Sequence, residues 1–160
     1  MRNIELIKKV LSSNLLIPEM KYAPPNGAST EELAALDKSL PRSLSQSHKD
    51  ILERWNGLNL DVVRIYGATP TKGEIEGLIN IHEEALINQE GYIVFGGDPA
   101  GFIYTEDSEG QVWTYDYKCD NLTLIAQSMD DFFQNYLFGL GAAAFAGDSW
   151  VDELKAAGII

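Results

Sequence analysis

The stretch GGDPAGFIYTEDSEGQVWTYD, residues 96–116, decides the predicted fold of this chain. It contains two turn sequences, Gly96-Gly97-Asp98-Pro99 and Asp107-Ser108-Glu109-Gly110, built from the residue types that tight turns favour. A run of aromatic and β-branched residues follows each turn, which is typical of strands that pair in a hairpin. The stretch therefore predicts two turns and two strands, with the acidic side chains at the strand ends in water.

Two functional interpretations of this stretch fail on context and spacing. A phosphate-binding loop leads into a helix and has a base nearby, whereas Gly101 leads into a predicted strand and the nearest base in sequence is Lys118. A calcium loop starting at Glu106 would need glycine at its sixth position and glutamate at its twelfth. Gly110 falls at the fifth position and Tyr117 at the twelfth. We therefore predict no metal and no cofactor.

Helical periodicity surrounds this strand-rich centre. Before the central strands, helices are predicted over 3–13, from the capping box of Ser29 and Glu32 to Pro41, from Ser43 or Ser45 to Asn56-Gly57, and from Thr71 to Leu86. After them, one helix is predicted to start at the Ser128 cap, and a last one runs from an Asp148 cap to Gly158. One strand is predicted over 60–67. Four central strands are predicted over 91–95, 102–105, 111–117 and 122–126. Short turns between the central strands favour antiparallel pairing. The chain is therefore predicted to be one α+β domain, with a mixed or mostly antiparallel sheet packed with helices.

The charge of the chain is strongly negative and uneven. The formal net charge is −12; residues 1–72 carry a net +2, whereas residues 73–154 carry −15 with Lys118 as their one base. Such a field repels nucleic acid and anionic membranes and accelerates encounter with a basic protein, although acidity also serves solubility. The single Cys119, with no recognisable signal peptide or membrane span, favours a cytoplasmic protein.

The usual catalytic patterns are missing from the sequence. His82 precedes two glutamates but no second histidine follows, so the zinc-protease motif is incomplete, and both His82 and His48 lie on apolar helix faces typical of core residues. No Gly-x-Ser-x-Gly occurs. We predict that the chain is not an enzyme, although carboxylates converging in a cleft would reopen that class.

Three segments in order carry a resemblance to a known family: LPRSLSQSHKDILERWNG (40–57), the strand-rich segment 91–116, and SMDDFFQNYL (128–137). Together they resemble the SUKH superfamily, which includes bacterial immunity proteins and a fungal regulator of cell-wall synthesis. Phe102 departs from the family pattern, because many members carry a polar residue there. The matching positions are Leu40-Pro41, Asn56-Gly57, Gly97 with Gly101, and Ser128 with Phe132 and Phe133.

The resemblance covers residues 29–138 and divides the chain into an N-terminal helix and loop (1–28), a SUKH-like α+β domain, and a C-terminal extension (139–160) with a short helix. It implies a binding module without chemistry of its own, namely an immunity protein that neutralises a cognate polymorphic toxin such as a basic nuclease. The alternative is a regulatory or scaffold protein of this type without a toxin partner.

The predicted partner-binding residues are the acids of the strand-rich region, whose simpler interpretation is solvated turn residues. They are Asp98, Glu106, Asp107, Glu109 and Asp116. The predicted partner is a basic toxin protein, with no nucleic acid or membrane, and the chain is expected to be a monomer or a homodimer. An apolar helix face is predicted near the C-terminus, which folds back on the core or docks on a second copy, and folding back is favoured. Its residues are Phe145, Trp150, Val151 and Leu154.

Overall fold

The computed structural model describes residues 2–70, 75–84, 87 and 90–160. Its strands form one sheet in which each strand pairs antiparallel with the next strand along the chain. The strands are β1 (Lys21–Tyr22), β2 (Leu58–Leu60), β3 (Arg64–Ile65), β4 (Ile93–Gly97), β5 (Ile103–Glu106), β6 (Val112–Asp116) and β7 (Asn121–Ala126). The predicted α+β fold with a mostly antiparallel sheet is confirmed.

The helices precede, interrupt and follow the sheet. They are α1 (Arg2–Ser12), a 3-10 turn (Pro18–Met20), α2 (Thr30–Ser39), α3 (Gln46–Trp55), α4 (Leu78–Glu84), α5 (Met129–Asp131) running directly into a π-helical segment (Phe132–Leu137), α6 (Ala143–Ala146) and α7 (Asp148–Ala156). The helix predicted from Thr71 to Leu86 falls partly outside the described residues, and its described part contains α4.

Two expectations about local structure are wrong. Residues 60–67 were expected to form one strand, but β2 and β3 are separate because the chain turns at Asp61, where φ is +62° and Asn59 Oδ1 accepts a hydrogen bond from the Asp61 amide. The N-cap of α7 is Gly147 rather than Asp148; Asp148 is the first helical residue and makes no capping hydrogen bond. By contrast, the capping box of Ser29 and Glu32 is formed as predicted.

The antiparallel order places the turns at two opposite ends of the sheet. The β2–β3, β4–β5 and β6–β7 turns, residues 61–63, 98–102 and 117–120, share one end, which we call the upper end. The β5–β6 turn, residues 107–111, lies at the other, the lower end. Because β5 has four residues and a strand advances about 3.3 Å per residue, the two ends lie about 13 Å apart.

One hydrophobic core includes both termini of the chain. Ile7 of α1 and Leu154 of α7 belong to the same buried cluster as the sheet residues. Phe132 lies in its aromatic part, with ring centroids 5.7 Å from Phe95 and 5.2 Å from Tyr104. The C-terminal segment therefore folds back on the core of its own chain, as the sequence favoured.

The Asn-Gly pair at the end of α3 has a structural role. Asn56 adopts φ +51°, and its Oδ1 accepts a hydrogen bond from the buried Ala68 amide at 2.7 Å. Gly57 has φ +99°, and a Cβ there would lie 2.9 Å from the Gly67 nitrogen. Thr69 connects this turn to the capping box, because its hydroxyl donates to Glu32 at 3.2 Å. These contacts fix α2 and α3 relative to the sheet.

Candidate functional site

Asp98 and Asp107 form two turns with the same hydrogen-bond pattern, one in each successive hairpin. Oδ1 of Asp98 accepts from the amides of Ala100 and Phe102 at 3.0 and 3.1 Å, and Oδ2 accepts from the Tyr104 hydroxyl at 2.7 Å. Both carboxylate oxygens therefore have internal partners, and the first role of Asp98 is to shape its hairpin.

Asp107 repeats this arrangement at the lower end. Its Oδ1 accepts from the amides of Glu109 and Gln111, both at 2.9 Å, and its Oδ2 accepts from Trp113 Nε1 at 2.8 Å. The shared pattern is an aspartate, a glycine three residues later and an aromatic donor six residues later. Sequence reasoning identified both turns but not this common use of the aspartate side chain.

The predicted binding acids do not form one face. Asp98 and Asp116 lie at the upper end of the sheet, whereas Asp107 and Glu109 lie at the lower end, beside Arg42. An interface centred on either end would hold only part of the predicted set.

The expectation that Glu106 stands in water is wrong. Its side chain is 0 % exposed and accepts hydrogen bonds from the Ser45 amide and from His48 Nδ1, both at 3.0 Å, while Arg42 donates to its backbone carbonyl. Burial raises the pKa of Glu106, but the hydrogen bonds from His48 and Ser45 outweigh burial and hold the pKa below its ordinary value. Glu106 is therefore an internal ionised group that joins α3 to β5, and a partner cannot reach it.

The upper end carries a groove made of two adjoining clefts. The first, the acidic cleft, has a volume of about 430 Å³, and its described lining holds the carboxylates of Glu19, Asp61, Glu76 and Asp98 and the guanidinium of Arg64. The second, the apolar cleft, has a volume of about 440 Å³ and shares Asp61, Asp98 and Pro99 with the first. We call the two together the upper groove.

The floor of the apolar cleft presents aromatic side chains to solvent. Phe102 is 41 % exposed, and Tyr136 and Phe145 are half-buried with ring centroids 5.6 Å apart. Val62 and Thr114 complete that lining beside α6. Aromatic rings at the centre, with polar groups around them as a rim, are typical of a protein-binding surface.

Two of the tyrosines that line the upper groove, Tyr66 and Tyr104, stay protonated at neutral pH. Burial, together with the charge of Glu76, raises the pKa of Tyr66 to about 12. Burial and the hydrogen bond to Asp98 raise the pKa of Tyr104 far above its ordinary value. Both hydroxyls therefore keep their proton, which Tyr104 donates to Asp98, and neither is suited to act as a base.

The remaining candidates for reactivity in the described part of the chain are Cys119 and the side chains that could hold a metal ion. Cys119 is exposed, and the charge of nearby Asp116 raises the pKa of its thiol, which disfavours the reactive thiolate. Within the described ranges, no group of three or more His, Cys, Asp or Glu side chains is placed to hold a metal ion. Nor does any described helix have the length and apolar character that crossing a bilayer requires.

Sequence reasoning missed much of the upper groove. Glu19 and Asp61 precede the strand-rich stretch by many residues, and the antiparallel order of the strands brings them to the same end as Asp98. A usable signal was Asn59-Leu60-Asp61, because asparagine and aspartate flanking one residue favour a turn. Phe145 was identified as an apolar helix residue, but its place beside the hairpin depends on tertiary packing.

Comparison with known proteins places the chain in a family. A sequence model of the SMI1/KNR4 family (SUKH-1) matches residues 27–135 of the 160, close to the range in which the resemblance was found. A comparison with curated proteins found no match. Because the matched range includes α2, α3 and every strand from β2 to β7, the chain belongs to the SMI1/KNR4 family (SUKH-1).

Proposed function

We propose that this chain is an immunity protein that binds and neutralises a cognate toxin with a basic surface. Family membership supports a protein-binding module of the immunity or regulatory kind. The observation that carries the finer proposal is the upper groove, which combines a rim of carboxylates with exposed aromatic rings. Carboxylates attract a basic protein over long range, and buried aromatic contacts then hold it.

The charge distribution supports the same partner. Residues 73–154 carry a net −15 in sequence, a field that favours a nuclease whose own cleft is basic enough to hold phosphates. This field also disfavours nucleic acid and anionic membrane surfaces as direct partners. Of the predicted acids, Asp98 stays in the proposed interface as part of the groove rim and Asp116 as an acid of the same end. Asp107 and Glu109 contribute through the long-range field.

The alternative is a regulatory or scaffold protein of the same family, which would bind its partner without blocking it. Gene context separates the two, because a neighbouring toxin gene favours immunity and a solitary gene favours regulation. The upper groove serves either function, so the effect of binding on the partner's activity must distinguish immunity from regulation.

The test combines capture with inhibition. The purified chain is used to isolate partners from its native host, the partners are identified by mass spectrometry, and the activity of the captured protein is titrated with the chain. The immunity proposal predicts a basic protein whose toxic activity falls to background near one equivalent. A captured protein that retains full activity when saturated with the chain would support the regulatory alternative. Capture of acidic proteins alone would contradict the arguments from the carboxylate rim and from the net charge of residues 73–154.

A further inference from the structure

The apolar cleft is built from two parts of the chain, one inside and one outside the range that the family model matches. The β4–β5 hairpin, which supplies Pro99 and Phe102, lies within the range matched by the family model. The opposite wall comes from α6, which supplies Ala144, Phe145 and Ala146 and lies beyond that range. The cleft therefore exists only because the C-terminal extension lies against the hairpin.

The wall formed by α6 is firmly anchored. Phe145 packs against Tyr136 at 5.6 Å and against Trp150 at 6.4 Å between ring centroids. Trp150 is buried, and its Nε1 donates to the Leu137 carbonyl at 2.8 Å. The turn before α6 is tightly fitted as well, since a Cβ on Gly139 would lie 2.0 Å from the Gln134 carbonyl oxygen. An anchored wall of this kind presents a preformed surface, which lowers the entropic cost of binding.

The composition of α6 keeps the cleft open. Its sequence is Ala-Ala-Phe-Ala, and Ala144 and Ala146 face the cleft with methyl groups where larger side chains would fill it. Ala143 is also exposed but does not line the cleft. The width of the cleft is therefore determined at two positions of a four-residue helix.

The charges around the cleft define what fits it. Its described lining holds the carboxylates of Asp61 and Asp98 and no basic residue, while Val62, Phe102, Tyr136 and Phe145 offer apolar surface. A matching ligand has an apolar side chain for the floor and positive charges for the rim. Such side chains alternate naturally along an extended segment of a basic protein.

We propose that α6 is the specificity-determining wall of the upper groove, and that the apolar cleft receives an aromatic side chain flanked by lysine or arginine from an extended segment of the partner. This inference rests on the proposed function, because it names the chemistry of the same site. Since α6 lies outside the matched range, the choice of partner depends in part on residues that the family model does not cover.

A peptide titration followed by NMR tests the inference without the natural partner. The probes are three capped peptides with the cores Lys-Phe-Lys, Glu-Phe-Glu and Lys-Ala-Lys, each titrated into the full isotope-labelled chain. Lys-Phe-Lys should saturate with a Kd of about 1 mM, a value that small ligands of this kind reach. Its largest amide shifts should map to Val62, Phe102 and Phe145. Both other peptides should bind about tenfold more weakly or not at all.

Two matched variants assign the effect to α6. Ala144→Trp should fill the cleft and weaken Lys-Phe-Lys about tenfold or more, whereas Ala143→Trp, the same change one residue away, should leave the Kd within about twofold. Unchanged thermal melting of both variants shows that the fold is intact. Shifts that map elsewhere, equal binding of Lys-Phe-Lys and Glu-Phe-Glu, or equal effects of the two variants would overturn the inference. A chain that fails this titration but still inhibits a captured basic toxin would refute the assignment of α6 and leave the proposed function standing.

Discussion

At the scale of single residues, Glu106 shows that an acidic residue at a predicted strand end can be buried rather than exposed. Its position next to a turn suggested a solvated carboxylate, but β5 ends under the loop before α3, and Ser45 and His48 cover the side chain. These partners lie about sixty residues upstream, so no local pattern connects them to Glu106. Leaving a buried polar group without its hydrogen-bond partner is among the costlier single changes in a protein.

Glu106→Ala should therefore lower the free energy of unfolding by about 3 kcal/mol, because the buried His48 ring and the Ser45 amide both lose their acceptor. Glu109→Ala is the matched control and should stay within about 0.5 kcal/mol, because Glu109 is exposed. Urea unfolding of the two variants beside the parent chain provides the comparison. Equal stability of all three proteins would contradict the buried pair.

The lowered pKa of Glu106 also gives a direction for the pH dependence. A carboxyl whose pKa is lower in the folded than in the unfolded chain stabilises the fold above the unfolded value of 4.5, and that contribution is lost as pH falls through the lower folded value. The stability of the parent chain should therefore decline on acidification below about pH 4.5 more steeply than that of Glu106→Gln. Chemical denaturation between pH 3 and pH 7 measures the two slopes, and parallel curves would argue against an ionised Glu106.

At the scale of elements, turn chemistry was the most predictable part of the fold. Gly, Asp and Asn marked the hairpins and the end of α3 correctly, because positive φ and side-chain capping are local properties. The break between β2 and β3 was missed, because LDVVRIYG has the composition of a single strand. What splits it is the left-handed Asp61, a conformation that pairing with β1 and β4 stabilises. Tertiary pairing therefore adds to the local Asn59-Leu60-Asp61 signal in separating β2 from β3.

The twin aspartate turns make a prediction for their own element. Asp98→Ala should cost about 2 kcal/mol, because Tyr104, which is 1 % exposed, would lose the acceptor of its hydroxyl. In the double variant Asp98→Ala/Tyr104→Phe the orphaned hydroxyl is gone, so the combined cost should be smaller than the sum of the single costs by about 1 kcal/mol. A double-mutant cycle by urea unfolding measures this coupling, and strictly additive costs would contradict the hydrogen bond.

At the scale of the whole molecule, the C-terminal extension belongs to the core. The periodicity of Trp150 and Leu154 predicted an apolar face, but only the folded chain shows that this face meets the π-helical segment and joins the core cluster to which α1 also belongs. The sequence favoured packing within one chain over packing between two copies only weakly, because an apolar stripe does not specify what covers it. The position of α6 beside the hairpin was unpredictable for the same reason.

The packing of Trp150 can be tested by two graded substitutions. Trp150→Ala should lower stability by about 3–5 kcal/mol through loss of buried surface, and Trp150→Phe by about 1–2 kcal/mol, since the ring remains but the hydrogen bond to the Leu137 carbonyl is lost. Thermal and urea unfolding measure both, with the exposed Ser149→Ala as control. A Trp150→Ala protein as stable as its parent would show that the extension is not part of the core.

The central claim is that the upper groove, and not negative charge in general, recognises a basic partner. Two double variants with the same change in net charge separate these ideas: Glu19→Lys/Glu76→Lys in the acidic cleft, and Glu90→Lys/Glu109→Lys at the lower end, all at exposed positions.

The decisive measurement is the association rate of each double variant with the captured partner across a range of ionic strengths. The upper-groove variant should associate about tenfold more slowly than the parent chain at low salt, and its association rate should lose most of its salt dependence. The lower-end variant should keep more of the parent's association rate and more of its salt dependence. Equal rates for the two variants at every salt concentration would contradict recognition through the upper groove.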